Sequence, residues 1–220
     1  MKVEVAIPLL QQVCNVPFRN LFIRHPEDLR TNKGNVGQLL LNHIGLTLDN
    51  SLCDFEDGEL KTNKALPCGE PCETMFITQI SRIIDSMITA PPKPFAESNL
   101  YNKIRNLIYL PVVKDSIDVG DWYFVKVIHL EAKPDSTLYK LLEEDYYSIC
   151  KGLQMHIENS RDGFIHTTNG TNLYLQIRSK DSKPYRPVYS TTYGKSVSNK
   201  NHAFYFRKEF MRDALRGVFS

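Results

Sequence analysis

No stretch of this 220-residue chain stays apolar for long enough to cross a bilayer. Its first residues, Met1-Lys2-Val3-Glu4-Val5, lack the charged-then-apolar plan of a secretion signal. Both absences predict an intracellular, cytoplasmic protein with no membrane partner. Cysteine is sparse and odd in number, five in all, so nothing demands a disulfide framework. Cys68 and Cys72 have the spacing of half a zinc site, but no second ligand pair follows, which leaves them as free thiols. Internal repeats are absent, which excludes solenoids and arrays. Neither sign of charge dominates: the formal total is +2, too small to announce a nucleic-acid partner by itself. What is present, 42% hydrophobic and 24% charged residues, is ordinary for a globular protein. The length predicts one domain over residues 1–220 with a full core.

The distribution of charge says more than its total. From Arg178 to Arg216 the bases are Arg178, Lys180, Lys183, Arg186, Lys195, Lys200, Arg207, Lys208, Arg212 and Arg216. Only Asp181, Glu209 and Asp213 oppose them, and Tyr185, Tyr189, Tyr193, Phe204, Tyr205 and Phe206 are interleaved. Bases mixed with aromatics suit a surface that grips phosphates, although a solvated basic face has the same composition.

Periodicity places the elements. Val36, Leu39, Leu40, His43 and Ile44 predict a helix between Lys33 and Leu46, with His25-Pro26-Glu27-Asp28 as an earlier helix-entry signal. Residues 1–32 show no clean period. Thr47 to Cys53 leads into a strand bearing Asp54 and Glu59, and Thr74 to Ile80 reads as a strand pairing with that neighbour. Ala90-Pro91-Pro92-Lys93-Pro94 is a stiff linker. Asn106–Val113 and Trp122–Leu130 are β-rich, and Pro134 stops the second. Asp135 is positioned to cap a long helix with Leu138, Leu142, Tyr146, Ile149, Leu153 and Ile157 on one stripe. Glu143, Glu144 and Asp145 fall off that stripe and read as solvated. Thr171–Arg178 alternates as a strand, Asp181–Asn201 is a long polar loop, Ala203–Arg207 is a last strand, and Lys208–Phe219 a closing helix. Strands mixed with helices without strict alternation give an α/β or α+β fold around a central mixed sheet.

The chemistry concentrates in Asp54-Phe55-Glu56-Asp57-Gly58-Glu59-Leu60-Lys61. In an extended strand Glu59 and Lys61 project from one face while Leu60 enters the core. A turn at Asp57-Gly58 can bring Asp54 beside Glu59. Two converging carboxylates with no histidine suit a hard, oxygen-preferring cation such as Mg²⁺. A lysine beside them can position a water and steady a phosphate, which is equipment for metal-assisted phosphodiester hydrolysis. The pattern alone does not discriminate, because Glu131-Ala132-Lys133 behind Asp118 and Asp121 repeats it. A strand end with a surface ion pair explains either one equally well.

Six collinear segments separate the two. Pro26 to Leu40, Asp54-Phe55 with Gly58-Glu59-Leu60-Lys61-Thr62, Gly69 to Phe76, Asn102 to Val112, Tyr174 to Lys180 and Ala203 to Lys208 together resemble the MutH family. That family holds the methyl-directed mismatch-repair nicking endonuclease and related GATC-cutting type II restriction endonucleases. The resemblance implies a restriction-endonuclease-like core, a central mixed β-sheet flanked by helices, with two lobes around a cleft for double-stranded DNA. An N-terminal catalytic lobe and a basic C-terminal recognition lobe are implied within the one domain, acting as a monomer or homodimer on DNA. Asp54 and Glu59 match the family's Mg²⁺ ligands, and Lys61 the lysine beside the attacking water. Lys33 and Gly34 match a loop at the DNA, and Lys103 a basic residue near the cleft. Arg178 and Lys180 fall in the recognition segment, Tyr205 where the family senses adenine methylation, and Arg207 and Lys208 just beyond it. The resemblance favours Glu59 and Lys61 over Glu131 and Lys133.

Two departures from the family pattern bear on activity. The Asp54–Glu59 spacing is shorter than in the repair enzyme, which points to the restriction relatives. Leu41 stands where the family has a glutamate that helps order the metal site. Asp54 and Glu59 are then expected to hold one Mg²⁺, with water in the lost ligand's place or with Asp49, Glu56 or Asp57 supplying it. The expected function is a type II endonuclease at a short palindrome, GATC. A mismatch-repair nickase and a DNA-binding module with weakened catalysis are the two rival readings.

Overall fold

The structure, a computed structural model, describes residues 1–22, 35–47, 51–168, 172–180 and 187–219. Nine strands lie among them: β1 (Glu59–Ala65), β2 (Met75–Gln79), β3 (Asn106–Val113), β4 (Tyr123–Phe124), β5 (Ile128–Glu131), β6 (Leu175–Lys180), β7 (Val188–Ser190), β8 (Lys195–Ser198) and β9 (Asn201–Phe206). The chain divides into two compact units that each use distant stretches of sequence. One comprises Met1–Met75, Lys103–Ala132 and Met211–Ser220, the other Phe76–Asn102 and Lys133–Phe210.

The first unit is built on a four-stranded mixed sheet. β1 runs parallel to β3, with Glu59 opposite Leu107 and Lys61 opposite Tyr109. On its other edge β3 pairs antiparallel with β4 and β5. Leu60, Ile108, Leu110 and Val112 pack from one face into a cluster with Val3, Ala6, Leu10, Val36, Leu40 and Leu41. Those partners come from the helices Val3–Gln12 and Asn35–His43. The first helix was not legible as a period, because Pro8 interrupts a stripe of only three buried residues, Val3, Ala6 and Leu10. The stretch read as one strand over Trp122–Leu130 is two short ones. Its middle leaves the ladder, although Val125 N still donates to Pro111 O at 2.9 Å.

A three-stranded sheet in the order β2-β9-β6 forms the second unit's frame. β2 therefore pairs with β9 and not with its sequence neighbour β1. Ile77, Leu175, Ile177, Phe204 and Phe206 are all buried. They alternate with Phe76, Gln176, Arg178 and Tyr205, which are partly or fully exposed. Helix Thr137–Asn159 is capped by Ser136, whose hydroxyl accepts from Tyr139 N, and not by Asp135, which sits in the left-handed region at φ 68. Asp145 is likewise not solvated. It is 6% exposed and accepts from the backbone N–H groups of Leu173, Tyr174 and Leu175 at 2.8, 2.6 and 2.7 Å. The helix thus braces the entry to β6 through one carboxylate. The polar segment between β6 and β9 contains the hairpin β7–β8. Asp85 clamps its turn by accepting from Ser190, Thr191 and Thr192. Together these elements make a mixed α+β protein with a central mixed sheet flanked by helices, consistent with a restriction-endonuclease-like fold.

Candidate active site

The loop before β1 explains how two carboxylates meet. Phe55 is buried in the first unit's core at 4% exposure, and its N–H donates to Gly58 O at 2.9 Å, closing a tight turn. Gly58 then passes so close to β3 that a Cβ there would lie 2.4 Å from Asn106 O and 2.6 Å from Val3 Cγ2. No side chain fits, so glycine is required by contact. This turn returns the chain to Glu59, where the strand starts; Asp54 lies in the loop and not in the strand.

Backbone hydrogen bonds tie Asp54 and Glu59 together. Leu60 N donates to Asp54 Oδ2 at 3.0 Å, and Asp54 N donates to Glu59 Oε2 at 3.3 Å. Glu59 is 2% exposed, and two ammonium groups sit on its carboxylate. Lys61 Nζ donates to Oε1, and Lys103 Nζ donates to Oε1 and Oε2 at 3.0 and 3.1 Å. Burial, then the neighbouring Glu59 charge, raises the Asp54 carboxyl above the usual aspartate range, against the lowering pull of the Leu60 N–H, Lys61 and Lys103. The adjacent Cys53 thiol is also pushed up, first by burial and then by Glu59, so it stays protonated beside the pair.

These residues fit a hard cation by donor type. The carboxylates converge with oxygen donors only, and the lysines already balance them as cations. Among the described residues no group of three or more histidine, cysteine or acidic side chains is arranged for a metal. A Mg²⁺ at Asp54 and Glu59 would therefore keep most of its water shell, as that ion commonly does. Of the other acids considered, Asp57 accepts from Val3 N at 2.8 Å and Glu56 from Met1 N at 2.7 Å. Both are occupied at the start of the first helix, and Asp49 lies outside the described residues. Leu41 lines a hollow of ≈ 390 Å³ together with Asp54, Phe55 and Leu46.

The look-alike motif is arranged differently. Asp118 and Asp121, 62% and 49% exposed, both pair with Arg19, and Glu131 is exposed at the end of β5. Its two aspartates share one exposed arginine as their partner.

In the second unit the exposed sheet face gathers several predicted residues. The Arg178 guanidinium lies 5.7 Å from the centroid of the Tyr205 ring, and Lys180 Nζ 4.3 Å from that of Phe76. Phe76 meets Tyr205 edge-on at 5.6 Å. Phe76 escaped the sequence reading, although the alternation of Met75, Phe76 and Ile77 puts it on the face opposite the core. Arg207 turns to the chain instead: its guanidinium donates to Asn172 O and pairs with Glu209 at 3.4 Å. Lys208 is half-buried at the start of helix Lys208–Leu215. Lys33 and Gly34 lie outside the described residues. Lys103, read as a basic residue near DNA, grips the carboxylate of Glu59, a contact across 44 positions that no local pattern signals.

No protein-family model matches the chain. Over most of its length it is similar to the DNA mismatch repair protein MutH of Vibrio vulnificus, strains YJ016 and CMCP6. It is 24% identical to each over 199 residues, which cover 89% of this chain and 82% of the relative. The DNA mismatch repair protein MutH of Vibrio campbellii is 25% identical over 194 residues, with 86% and 80% covered. These similarities support the resemblance to the MutH family.

Proposed function

We propose that this protein is a Mg²⁺-dependent DNA endonuclease that hydrolyses phosphodiester bonds at a short palindrome, GATC. One observation carries the reading. Asp54, Glu59, Lys61 and Lys103 converge within hydrogen-bonding reach at the start of β1, whereas the competing acids are spread over surface pairs. Mg²⁺ held by Asp54 and Glu59 would supply Lewis-acid charge at the scissile phosphate. Lys61, on the same carboxylate, holds the attacking water by its oxygen and favours loss of the water's proton. Lys103 grips both oxygens of Glu59 in the metal-free site. Arg178 and Lys180, backed by the rings of Tyr205 and Phe76, present bases and aromatics on an open sheet face, which suits base-edge and phosphate contacts. Glu59 cannot serve both lysines and a cation through the same lone pairs. Metal binding therefore requires one ammonium to give way, and Lys103, which spans both oxygens, is the one that must shift.

In this reading the enzyme makes a double-strand cut as a type II restriction endonuclease, favoured by the five-residue step from Asp54 to Glu59. A second reading, strand nicking in mismatch repair, is favoured by the names of the relatives. Digesting one supercoiled plasmid of known sequence with Mg²⁺ and mapping the ends tests both. Linear fragments ending at GATC support the first, nicked circles the second. Intact plasmid at every Mg²⁺ concentration overturns the endonuclease reading.

A further inference from the structure

The ends of β6 and β9 carry a hollow of another chemical character inside the second unit. Its volume is ≈ 420 Å³, and its walls include Asp162, His166, Ser179, Ser198, Lys200 and His202. His202 is buried at 4% exposure, beside Ser198 at 2%. Its Nδ1 lies 3.1 Å from Lys200 O and 3.2 Å from Ser198 Oγ. Ser198 Oγ spends its own hydrogen on Lys200 O at 2.8 Å and accepts from Lys200 N at 3.0 Å. A carbonyl only accepts, and this hydroxyl has no hydrogen left to give, so Nδ1 must be the donor. The hydrogen-bond network thus assigns the tautomer. In the neutral ring Nε2 bears a lone pair, and among the described residues nothing donates to it. Protonation turns Nε2 into a donor and makes the ring a cation.

Among the described residues, positive charge outweighs negative around that ring. Lys200 stands on the rim, and Lys195 Nζ lies against Gly163, 2.7 Å from where a Cβ would be. From helix Thr137–Asn159, His156 meets His166 edge-on at 5.5 Å, while Glu158 is tied to the Tyr193 hydroxyl at 2.9 Å. Asp162 is the acid on the wall, and its Oδ1 already accepts from Ser160 Oγ, Phe164 N and His166 Nε2 at 3.0, 3.0 and 3.1 Å.

We propose that this hollow is an anion site that binds a phosphate group when His202 is protonated. Phosphodiester oxygens accept and never donate, so they are refused by a lone pair on Nε2 and held by an N–H there. Burial, then the nearby His166, Lys200 and His156, lowers the His202 pKa despite the opposing Lys200 carbonyl, so the ring is neutral at neutral pH until an anion arrives. Binding therefore takes up a proton and strengthens as pH falls through the histidine range. The phosphate comes either from a small phosphorylated ligand or from a nucleic-acid backbone. The second source rests on the proposed DNA reading. It places a phosphate at the end of the strand whose outer face presents Arg178 and Lys180, with Ser179 turned the other way.

The test follows histidine ring resonances by NMR while dimethyl phosphate, a phosphodiester with no P–OH hydrogen to donate, is added at about pH 6 and about pH 8, a window that spans histidine titration. Phosphate should move the His202 and His166 signals at the lower pH and raise the His202 titration midpoint, and in His202→Gln it should leave the His166 signal unmoved. A duplex carrying GATC, added without Mg²⁺, should move the same signals if the backbone is the source. In that case its affinity rises several-fold between the two pH values, and the rise vanishes in His202→Gln and shrinks in Lys200→Ala, an exposed position. A response to phosphate but not to the duplex assigns the site to a small ligand. Rings that ignore phosphate at the lower pH, or respond equally at both, overturn the proposal. The phosphate arm involves neither DNA nor cleavage, so failure of the endonuclease reading would leave it intact.

Discussion

Replacing Leu41 by glutamate asks whether this helix position faces the carboxylate pair. Leu41 is 4% exposed, belongs to the first unit's core and lines the same hollow as Asp54. Losing its apolar burial costs about 2 kcal/mol, the middle of the range for a leucine. Part-desolvation of the new carboxylate adds to that, so the metal-free variant should be less stable by about 2–4 kcal/mol. For a chain of this length that is a fall in Tm of roughly 5–15 °C. The carboxylate also adds a third negative oxygen donor where the structure offers two, which should tighten Mg²⁺. A gain of ~1.4 kcal/mol in metal affinity lowers the half-maximal Mg²⁺ concentration about tenfold. Thermal denaturation with and without Mg²⁺ should therefore show a larger metal-induced rise for Leu41→Glu than for wild type, and a cleavage titration a lower midpoint. An unchanged or raised midpoint would show that residue 41 does not reach the metal, and the reasoning would fall.

Other outcomes follow from the same geometry. Arg178→Ala should weaken specific duplex binding by ~1–3 kcal/mol and random duplex little, as for loss of a bidentate guanine contact; an unchanged specificity ratio in competition binding would refute it. Asp145→Ala strands three backbone donors at the entry to β6 and should cost about 3 kcal/mol or more by chemical denaturation; a loss below ~1 kcal/mol would show that water replaces the carboxylate. Because Asp54 is raised, the metal-free fold binds more protons than the unfolded chain just above the ordinary aspartate range, so that stability contribution is present at low pH and lost as pH rises through the raised value. Mg²⁺ must displace that proton: its half-maximal concentration should climb as pH falls through the same window, and calorimetry there should record proton release on binding.

The local pattern showed where the strand that carries Glu59 and Lys61, and its core face, lie. Leu60 alternates with Glu59 and Lys61, and the apolar run of β3 announces a buried strand, so both could be read from spacing. Contacts across distance could not. β2 looks like a partner for β1, but its buried Met75 and Ile77 are matched by β9, more than a hundred residues on. Asp145 breaks the helix stripe as a solvated acid would, and only the returning N–H groups of Leu173 to Leu175 explain its burial. The hairpin β7–β8 hides in serine, threonine and tyrosine because Asp85, from another segment, holds its turn. Lys103 carries no sign of its partner. Phe76 is within reach of alternation between the buried Met75 and Ile77, but its ring partner Tyr205 lies on a distant strand.

The central claim is that Asp54, Glu59 and Lys61 form the cutting site. The most direct measurement is the single-turnover cleavage rate of a labelled GATC duplex with Mg²⁺, for wild type, Lys61→Ala and the look-alike control Glu131→Ala, with duplex affinity measured alongside. The account predicts a loss of orders of magnitude for Lys61→Ala at near-normal affinity, as for one member of a site that works as a unit, and a nearly silent Glu131→Ala. Cleavage by Lys61→Ala at close to the wild-type rate, or its loss in Glu131→Ala, would contradict the account.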